Sequence, residues 1–267
     1  MNDLFGVPIS VGTISESETL TTEVLAKPVQ EARDLVEKQA VAHLDETSWR
    51  QDGQRAWLWV AVTSVVTVFA IRLSRGGQVA RELLGETFGG ILVTDRYSGY
   101  NWYPVRWRQF CWSHVLRDFE AMRGRGGVSE EIGAALLEQA HQMFTWWHRV
   151  REGTLKRSTF RSYMTSVRRE VERLLEAGSQ CGVANTEGTC REMLKRRQAL
   201  WTFVQVEGDG AHQQLVGAGH PSGCATAQNE LWHAERGGFS LCRKHDDGRG
   251  NAEATQAQHS GIPHGRS

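Results

Sequence analysis

The chain has 267 residues, 31 basic and 31 acidic side chains, a formal net charge of +0 and a hydrophobic content of 40%. This length suits one well-cored domain with insertions, or two small domains. The neutral net charge does not by itself indicate a nucleic-acid-binding protein. The absence of an 18-residue apolar run excludes a membrane-spanning helix.

Five cysteines occur without a Cys-x-x-Cys pair, and the first residues show no basic-then-apolar leader. The odd count argues against a disulfide framework, and the spacing argues against a zinc finger. We therefore expect a soluble, cytoplasmic protein with no membrane partner.

The first half of the chain predicts a helix followed by a strand-rich segment. The helix lies near Thr22–Gln39, and Pro28 starts or breaks it. A first strand ends at Leu44, and an Asp-Gly turn leads into the second. The remaining predicted elements are strands at 56–62 and 65–73, a helix at 78–84 closed by Gly85, and strands at 90–94 and near 106–111.

The second half predicts helices and then a tail. The helices cover 112–122, 132–150, 159–175 and 190–206, with a loop at 178–187. From about Gly208 the chain is rich in Gly and His and has no sustained apolar period, so it buries too little surface to offset its ordering entropy.

The order β-β-β-α-β predicts an α/β (α+β) fold with a ribonuclease-H-like mixed sheet, a helical insertion and a disordered C-terminal tail. The predicted domains are a partly helical lead-in at 1–40, a ribonuclease-H-like core at 41–128, a helical insertion at 129–207 and an out-of-frame-like tail at 208–267.

Two aspartates follow apolar runs in this core. Asp45 follows Val41–Leu44, and Asp95 follows Gly90–Thr94, 50 positions later (95 − 45). The first and fourth strands are neighbours in a ribonuclease-H-like sheet, so acids that end them would lie side by side and repel unless a cation joined them. Mg²⁺ suits two such carboxylates. The alternative for Asp45 is a strand-end or turn residue that caps the backbone.

Three motifs in order point to a family. His43–Thr47 (HLDET), Thr94–Tyr100 (TDRYSGY) and Cys111–Phe119 (CWSHVLRDF) resemble transposases of insertion-sequence family sixty-six. Two further stretches are similar to the start and end of that family's catalytic domain, so the resemblance covers about residues 5–209; these stretches are 11–32 and 200–208.

The resemblance implies a DDE-type transposase, in which two aspartates and a glutamate bind divalent metal. Asp45 and Asp95 match the two aspartates, with Mg²⁺ or Mn²⁺ as the cofactor. Arg96, His114 and Arg117 are the candidate DNA-binding residues, and helix packing or surface charge is the alternative for His114 and Arg117. The implied partners are insertion-sequence ends, target DNA, and either a second copy or a full-length transposase.

The chain departs from the family pattern at both ends. Family members begin with zinc-binding and helix-turn-helix segments, which this sequence lacks, so we expect an N-terminal truncation. The family's third acid lies in a motif like TNNxxERAIR shortly after Val-Glu-Gly, and nothing of that kind follows Gly208. Glu207 and Glu230 are the nearest acids, and neither stands in the motif.

A shifted reading frame would account for the missing acid. Reading the last two bases of each codon with the first base of the next permits TNNxxERAIR across His212–Pro221 and Ser-Phe-Gly-Thr across Glu230–His233. We therefore hypothesise a frameshift near residues 208–211; a divergent native tail is the alternative.

The sequence leaves three alternatives to an active transposase. They are a nuclease that only cleaves, a non-catalytic DNA-binding or dimerising remnant, and an inert product. The arginine-rich stretch from 117 to 173 has two interpretations, a surface that follows DNA phosphates or solvated helix faces.

Overall fold

The computed structural model describes residues 10–51, 53–206 and 253–256. In chain order its elements are α1 (Val11–Glu37), β1 (Val41–Gln51), β2 (Gln54–Val62), β3 (Thr67–Arg72), α2 (Gly77–Leu84), β4 (Ile91–Thr94), β5 (Arg108–Phe110), α3 (Trp112–Arg123), α4 (Gly127–Arg151), α5 (Arg157–Gly178), α6 (Ala184–Lys195), α7 (Thr202–Gln205) and β6 (Glu253–Gln256). This order, with both antiparallel and parallel strand pairing, confirms the α/β class and the β-β-β-α-β succession.

The chain divides into two compact units, residues 1–89 with 230–267, and residues 90–229. Among the residues described, no helix combines the length and the apolar character that crossing a membrane requires. Within the predicted disordered tail, only 253–256 are described, and they form a strand. The rest of that prediction lies outside the described residues.

The first unit contains an antiparallel meander of β1, β2 and β3, with β6 antiparallel to β3. The β1–β2 hairpin closes at the pair Gln51 and Gln54, and Gly53 in the turn has a φ of 78°. This positive φ favours glycine, which agrees with the predicted Asp-Gly turn.

The prediction that the first strand ends at Leu44 is wrong, because β1 continues to Gln51. Residues 41 to 46 are nearly all buried, whereas the later residues pair with β2 but are largely exposed. Apolar residues mark only the buried part of a strand, so the sequence pattern stopped where burial stopped.

Helix α1 is longer than predicted and runs through Pro28 without ending. Its start is capped by the Ser10 hydroxyl, which accepts the backbone N–H of Thr13 at 3.0 Å. The buried side begins only after the proline, at Val29, Ala32 and Val36. The sequence signal therefore identified the packed half of the helix and missed its exposed first half.

Helix α2 ends as predicted at Gly85, which has a φ of 82°. The loop that follows is joined to α1 through Glu37 Oε1, which accepts both the backbone N–H and the hydroxyl of Thr87 at 2.7 Å. These hydrogen bonds hold the pKa of Glu37 below its usual value.

The second unit begins with the parallel pair β4 and β5, in which Leu92, Val93 and Thr94 pair with Arg108, Gln109 and Phe110. Helices follow, with an aromatic core between them. Trp112 and Phe144 meet edge to face at 5.9 Å, as do Trp147 and Phe203 at 5.5 Å. Trp112, Trp147 and Phe203 are buried, so core packing is the role the structure gives them.

Two predictions for the helical region are wrong. Helix α6 begins at Ala184, inside the predicted loop, and it ends at Lys195. The predicted helix at 190–206 is instead the end of α6, a 3₁₀ turn at Arg197–Leu200 and α7. The break follows from hydrogen bonds that this segment forms with β5 and with the first residue of α3. Local periodicity does not reveal such long-range bonds.

Helices α3 and α4 pack so closely that Gly133 cannot carry a side chain. A Cβ at this buried position would overlap Arg123 N and lie 2.8 Å from the Phe119 carbonyl oxygen. We expect Gly133→Ala to lower the free energy of unfolding by about 3 kcal/mol, because backbone atoms must move.

Gly188→Ala is the matched control, since a Cβ there meets nothing within 4 Å inside α6. We expect this change to raise stability by about 1 kcal/mol through helix propensity. Urea unfolding of both variants measures the two effects, and equal changes in the two would contradict the close packing.

Candidate functional site

Asp45 lies within β1 of the first unit, opposite Val60 of β2. It is only 5% exposed, and its Oδ1 accepts the backbone N–H of Glu46 at 3.0 Å. The interpretation of Asp45 as a strand-end residue is wrong, because six more residues of β1 follow it. Asp45 is therefore a buried carboxylate inside a paired strand.

The next residue, Glu46, is occupied by an ion pair. Its side chain is 1% exposed, and Oε1 accepts from Arg75 Nε at 2.9 Å and lies 2.8 Å from Arg75 Nη2. Successive strand residues point to opposite faces, so Glu46 does not share the face of Asp45. The sequence did not suggest this pair, because the partners are 29 positions apart.

Asp95 lies in the second unit, directly after β4, whose four residues are all buried. Its Oδ1 accepts the backbone N–H of Tyr97 at 2.8 Å. This turn shapes the loop that carries the carboxylate. The predicted strand therefore ends where expected, and Asp95 is the first residue beyond it.

Arg108 organises the loop around Asp95. This arginine of β5 is 1% exposed, and it donates to the Asp95 carbonyl at 2.8 Å, to Thr94 Oγ1 at 3.0 Å and to Asn101 Oδ1 at 3.0 Å. Its guanidinium also lies 5.1 Å from the centre of the Phe110 ring.

Burial lowers the pKa of Arg108 to about 10, and the nearby negative charge of Asp95 opposes that shift. At neutral pH the group therefore remains a buried cation. The sequence carries no signal for this buried arginine, because its strand reads Arg-Gln-Phe and shows no apolar pattern.

The three candidate DNA-binding residues all lie in the second unit, in different settings. Arg96 forms an ion pair with Asp118 of α3, with Nε 2.7 Å from Oδ2. Arg117 is exposed on α3. His114 lies one helical turn after Cys111 and interacts with its thiol.

His114 alters the acidity of the Cys111 thiol. Burial raises the pKa of the Cys111 thiol, but hydrogen bonds and the charge of His114 outweigh it, and the pKa lies below its usual value. His114 therefore lies beside the Cys111 thiol at the start of α3.

The segment after α6 is hydrogen-bonded to β5 and to the first residue of α3. Leu200 O accepts from Gln109 Nε2 at 3.3 Å and from Trp112 Nε1 at 3.2 Å, and Gln109 Oε1 accepts the backbone N–H of Phe203 at 2.9 Å. The Thr202 hydroxyl donates to Arg108 O at 2.6 Å. These hydrogen bonds explain why the predicted helix at 190–206 is interrupted between α6 and α7.

Carboxylate oxygens are hard ligands of the kind that Mg²⁺ and Mn²⁺ take. Asp45 and Asp95 fit such an ion chemically, because each offers carboxylate oxygens. Within residues 10–51 and 53–206, no group of three His, Cys, Asp or Glu side chains could hold a metal. Glu207, Glu230 and the predicted frameshift at 208–211 lie outside the described residues.

Comparison with known families finds a match over residues 1–208 to the family described as "Transposase IS66 family". No curated protein matches the chain. The family match stops at the point where the sequence analysis places the change of reading frame.

Proposed function

The chain belongs to the IS66 family of transposases, whose family model matches residues 1–208. We propose that it is a DDE-type catalytic domain for metal-dependent DNA cleavage and strand transfer. Membership of a transposase family supports a function in transposition. The observation that carries the finer proposal is the pair of anchored aspartates, Asp45 and Asp95, each within a motif of the family.

Asp45 and Asp95 would hold Mg²⁺ or Mn²⁺ through their carboxylate oxygens. When bound, such an ion makes a water or a 3′-hydroxyl a better nucleophile and stabilises the leaving oxygen of the phosphodiester. The protein's own part is rigidity: paired strand residues fix Asp45, and Arg108 fixes the loop of Asp95. Arg96, Arg117 and His114 are proposed to contact DNA phosphates.

The experiment is incubation of the chain with supercoiled plasmid carrying the insertion-sequence ends, in Mg²⁺, in Mn²⁺ and in EDTA. Strand-transfer products that require metal are expected. Metal-dependent nicking without joined ends would favour a nuclease that only cleaves.

A second candidate is a non-catalytic, DNA-binding or dimerising remnant that modulates an intact transposase. The end of the family match at residue 208 favours it, because the family's third acid follows that point. It predicts salt-sensitive DNA binding and no metal-dependent products.

The reading frame of the gene separates these candidates further. We expect the nucleotide sequence from codon 200 onward to encode Thr-Asn-Asn, Glu-Arg and Ser-Phe-Gly-Thr in another forward frame, because the protein sequence permits all three. Sequencing through and beyond codon 267 checks this. A gene in which no frame restores those residues would assign the tail to the native protein.

A further inference from the structure

The exposed end of the β1–β2 hairpin carries a set of residues that the proposed chemistry does not use. Arg50, Arg55 and Trp57 lie on one face of the hairpin, because Arg50 pairs with Arg55, and Trp57 follows two residues later on the same strand. Both arginines are exposed and Trp57 is half-buried. We call these three residues the hairpin arginine face.

The pairing of Arg50 with Arg55 is unfavourable for the hairpin by itself. Two like charges directly opposite each other in an antiparallel pair repel, whereas an acid at either position would attract the other arginine. Arg50 contacts only the Gly53 carbonyl, at 3.4 Å, in the described part of the chain. The acid of the turn, Asp52, lies outside the described residues. An arrangement that costs stability is consistent with a bound anion.

Nearby carboxylates are engaged by other arginines. Glu46 is bound by Arg75, and Glu82 Oε1 accepts from Arg72 Nη2 at 2.7 Å. Within the described residues, neither Arg50 nor Arg55 forms an ion pair with these two acids, and an external anion can therefore neutralise the positive charge of the hairpin arginine face.

The guanidinium of Arg55 is held in place by Trp57. Its Cζ lies 5.0 Å from the centre of the indole ring, and Arg75 lies 4.7 Å from the same ring. Stacking on an aromatic ring restricts the long arginine side chain, and less entropy is then lost when it binds phosphate.

We propose that the hairpin arginine face binds the phosphodiester backbone of DNA. The choice of DNA over an acidic protein segment rests on the proposed function, in which DNA is the substrate. Arg50 is five residues from Asp45, about 17 Å along an extended strand and on the opposite face. The DNA segment bound here is therefore a different one from the strand at Asp45.

The test is fluorescence anisotropy of a labelled random-sequence 30-base-pair duplex with the full chain in EDTA, over a series of salt concentrations. For Arg50→Gln/Arg55→Gln we expect at least about tenfold weaker binding and a salt slope lower by roughly two, since each phosphate contact releases about one counterion. Arg191→Gln/Arg197→Gln, which removes two exposed arginines from α6 and the 3₁₀ turn after it, is the matched control and should leave both values nearly unchanged.

Arg55→Glu distinguishes binding from a structural role. It creates an opposite-charge pair with Arg50, so we expect a higher midpoint of thermal unfolding together with weaker DNA binding. A lower midpoint with unchanged DNA binding would overturn the proposal. So would loss of binding only in the Arg191→Gln/Arg197→Gln control, or binding of a poly-glutamate peptide in preference to DNA.

These outcomes are independent of catalysis, because all binding is measured without metal. A chain that binds through the hairpin arginine face but yields no metal-dependent products retains this inference and loses the proposed catalytic function. If the chain is active and Arg50→Gln/Arg55→Gln binds DNA as well as the wild type, the proposed catalytic function stands and this inference fails.

Discussion

Asparagine in place of Asp45 or Asp95 is expected to lower metal-dependent DNA cleavage by about 10²-fold or more, because metal placement sets the attack geometry. The replacement preserves size and removes the negative charge that a divalent cation requires. An amide at position 45 should also weaken Mn²⁺ binding in the absence of DNA, because it removes the negative charge that the buried Asp45 carboxylate offers the ion. Initial nicking rates and calorimetric titration with Mn²⁺ measure the two effects separately.

Asp34→Asn is the control for this pair of variants. Asp34 is exposed on α1, and its carboxylate contacts Gln30 at 2.8 Å. Both readouts should be unchanged in this variant. Wild-type cleavage and Mn²⁺ affinity in Asp45→Asn would rule out Asp45 as a metal ligand, even if the chain proved active.

Methionine in place of Arg108 is expected to lower the free energy of unfolding by about 3 kcal/mol or more. The change removes the donor from the buried Thr94 hydroxyl, from the partly buried Asp95 carbonyl and from the exposed Asn101. A buried acceptor left without its donor costs about 1 to 3 kcal/mol, and the cavity left by the guanidinium adds to this loss. Arg108→Lys should restore only part of this stability, because a single ammonium cannot match the planar guanidinium.

Chemical denaturation of Arg108→Met measures the loss, and Arg106→Met supplies the control. Arg106 is exposed two residues earlier, next to Trp107, and its removal should change stability by less than about 0.5 kcal/mol. Hydrogen exchange should increase in the loop after β4 for Arg108→Met alone. Equal stability of the two variants would show that the buried hydrogen bonds are not a source of stability.

The order of elements was predictable because each element leaves a local signal. Apolar runs marked β2, β3 and β4, and helical periodicity marked α3, α4 and α5. The exposed half of β1 and the exposed half of α1 have no such pattern, so their ends were misplaced. The break between α6 and α7 was missed because its causes, Gln109 and Trp112, lie about 90 residues away in sequence.

The sequence by itself determined the family, the α/β class and the two aspartates worth testing, since these depend on residue identity and short-range order. Only the tertiary structure decided which charged residues have partners. Glu46 finds Arg75, Arg108 finds the loop of Asp95, and Arg50 meets Arg55 across a hairpin. Hydrogen bonds and ion pairs act over a few ångströms in space, and only folding brings such residues within that distance.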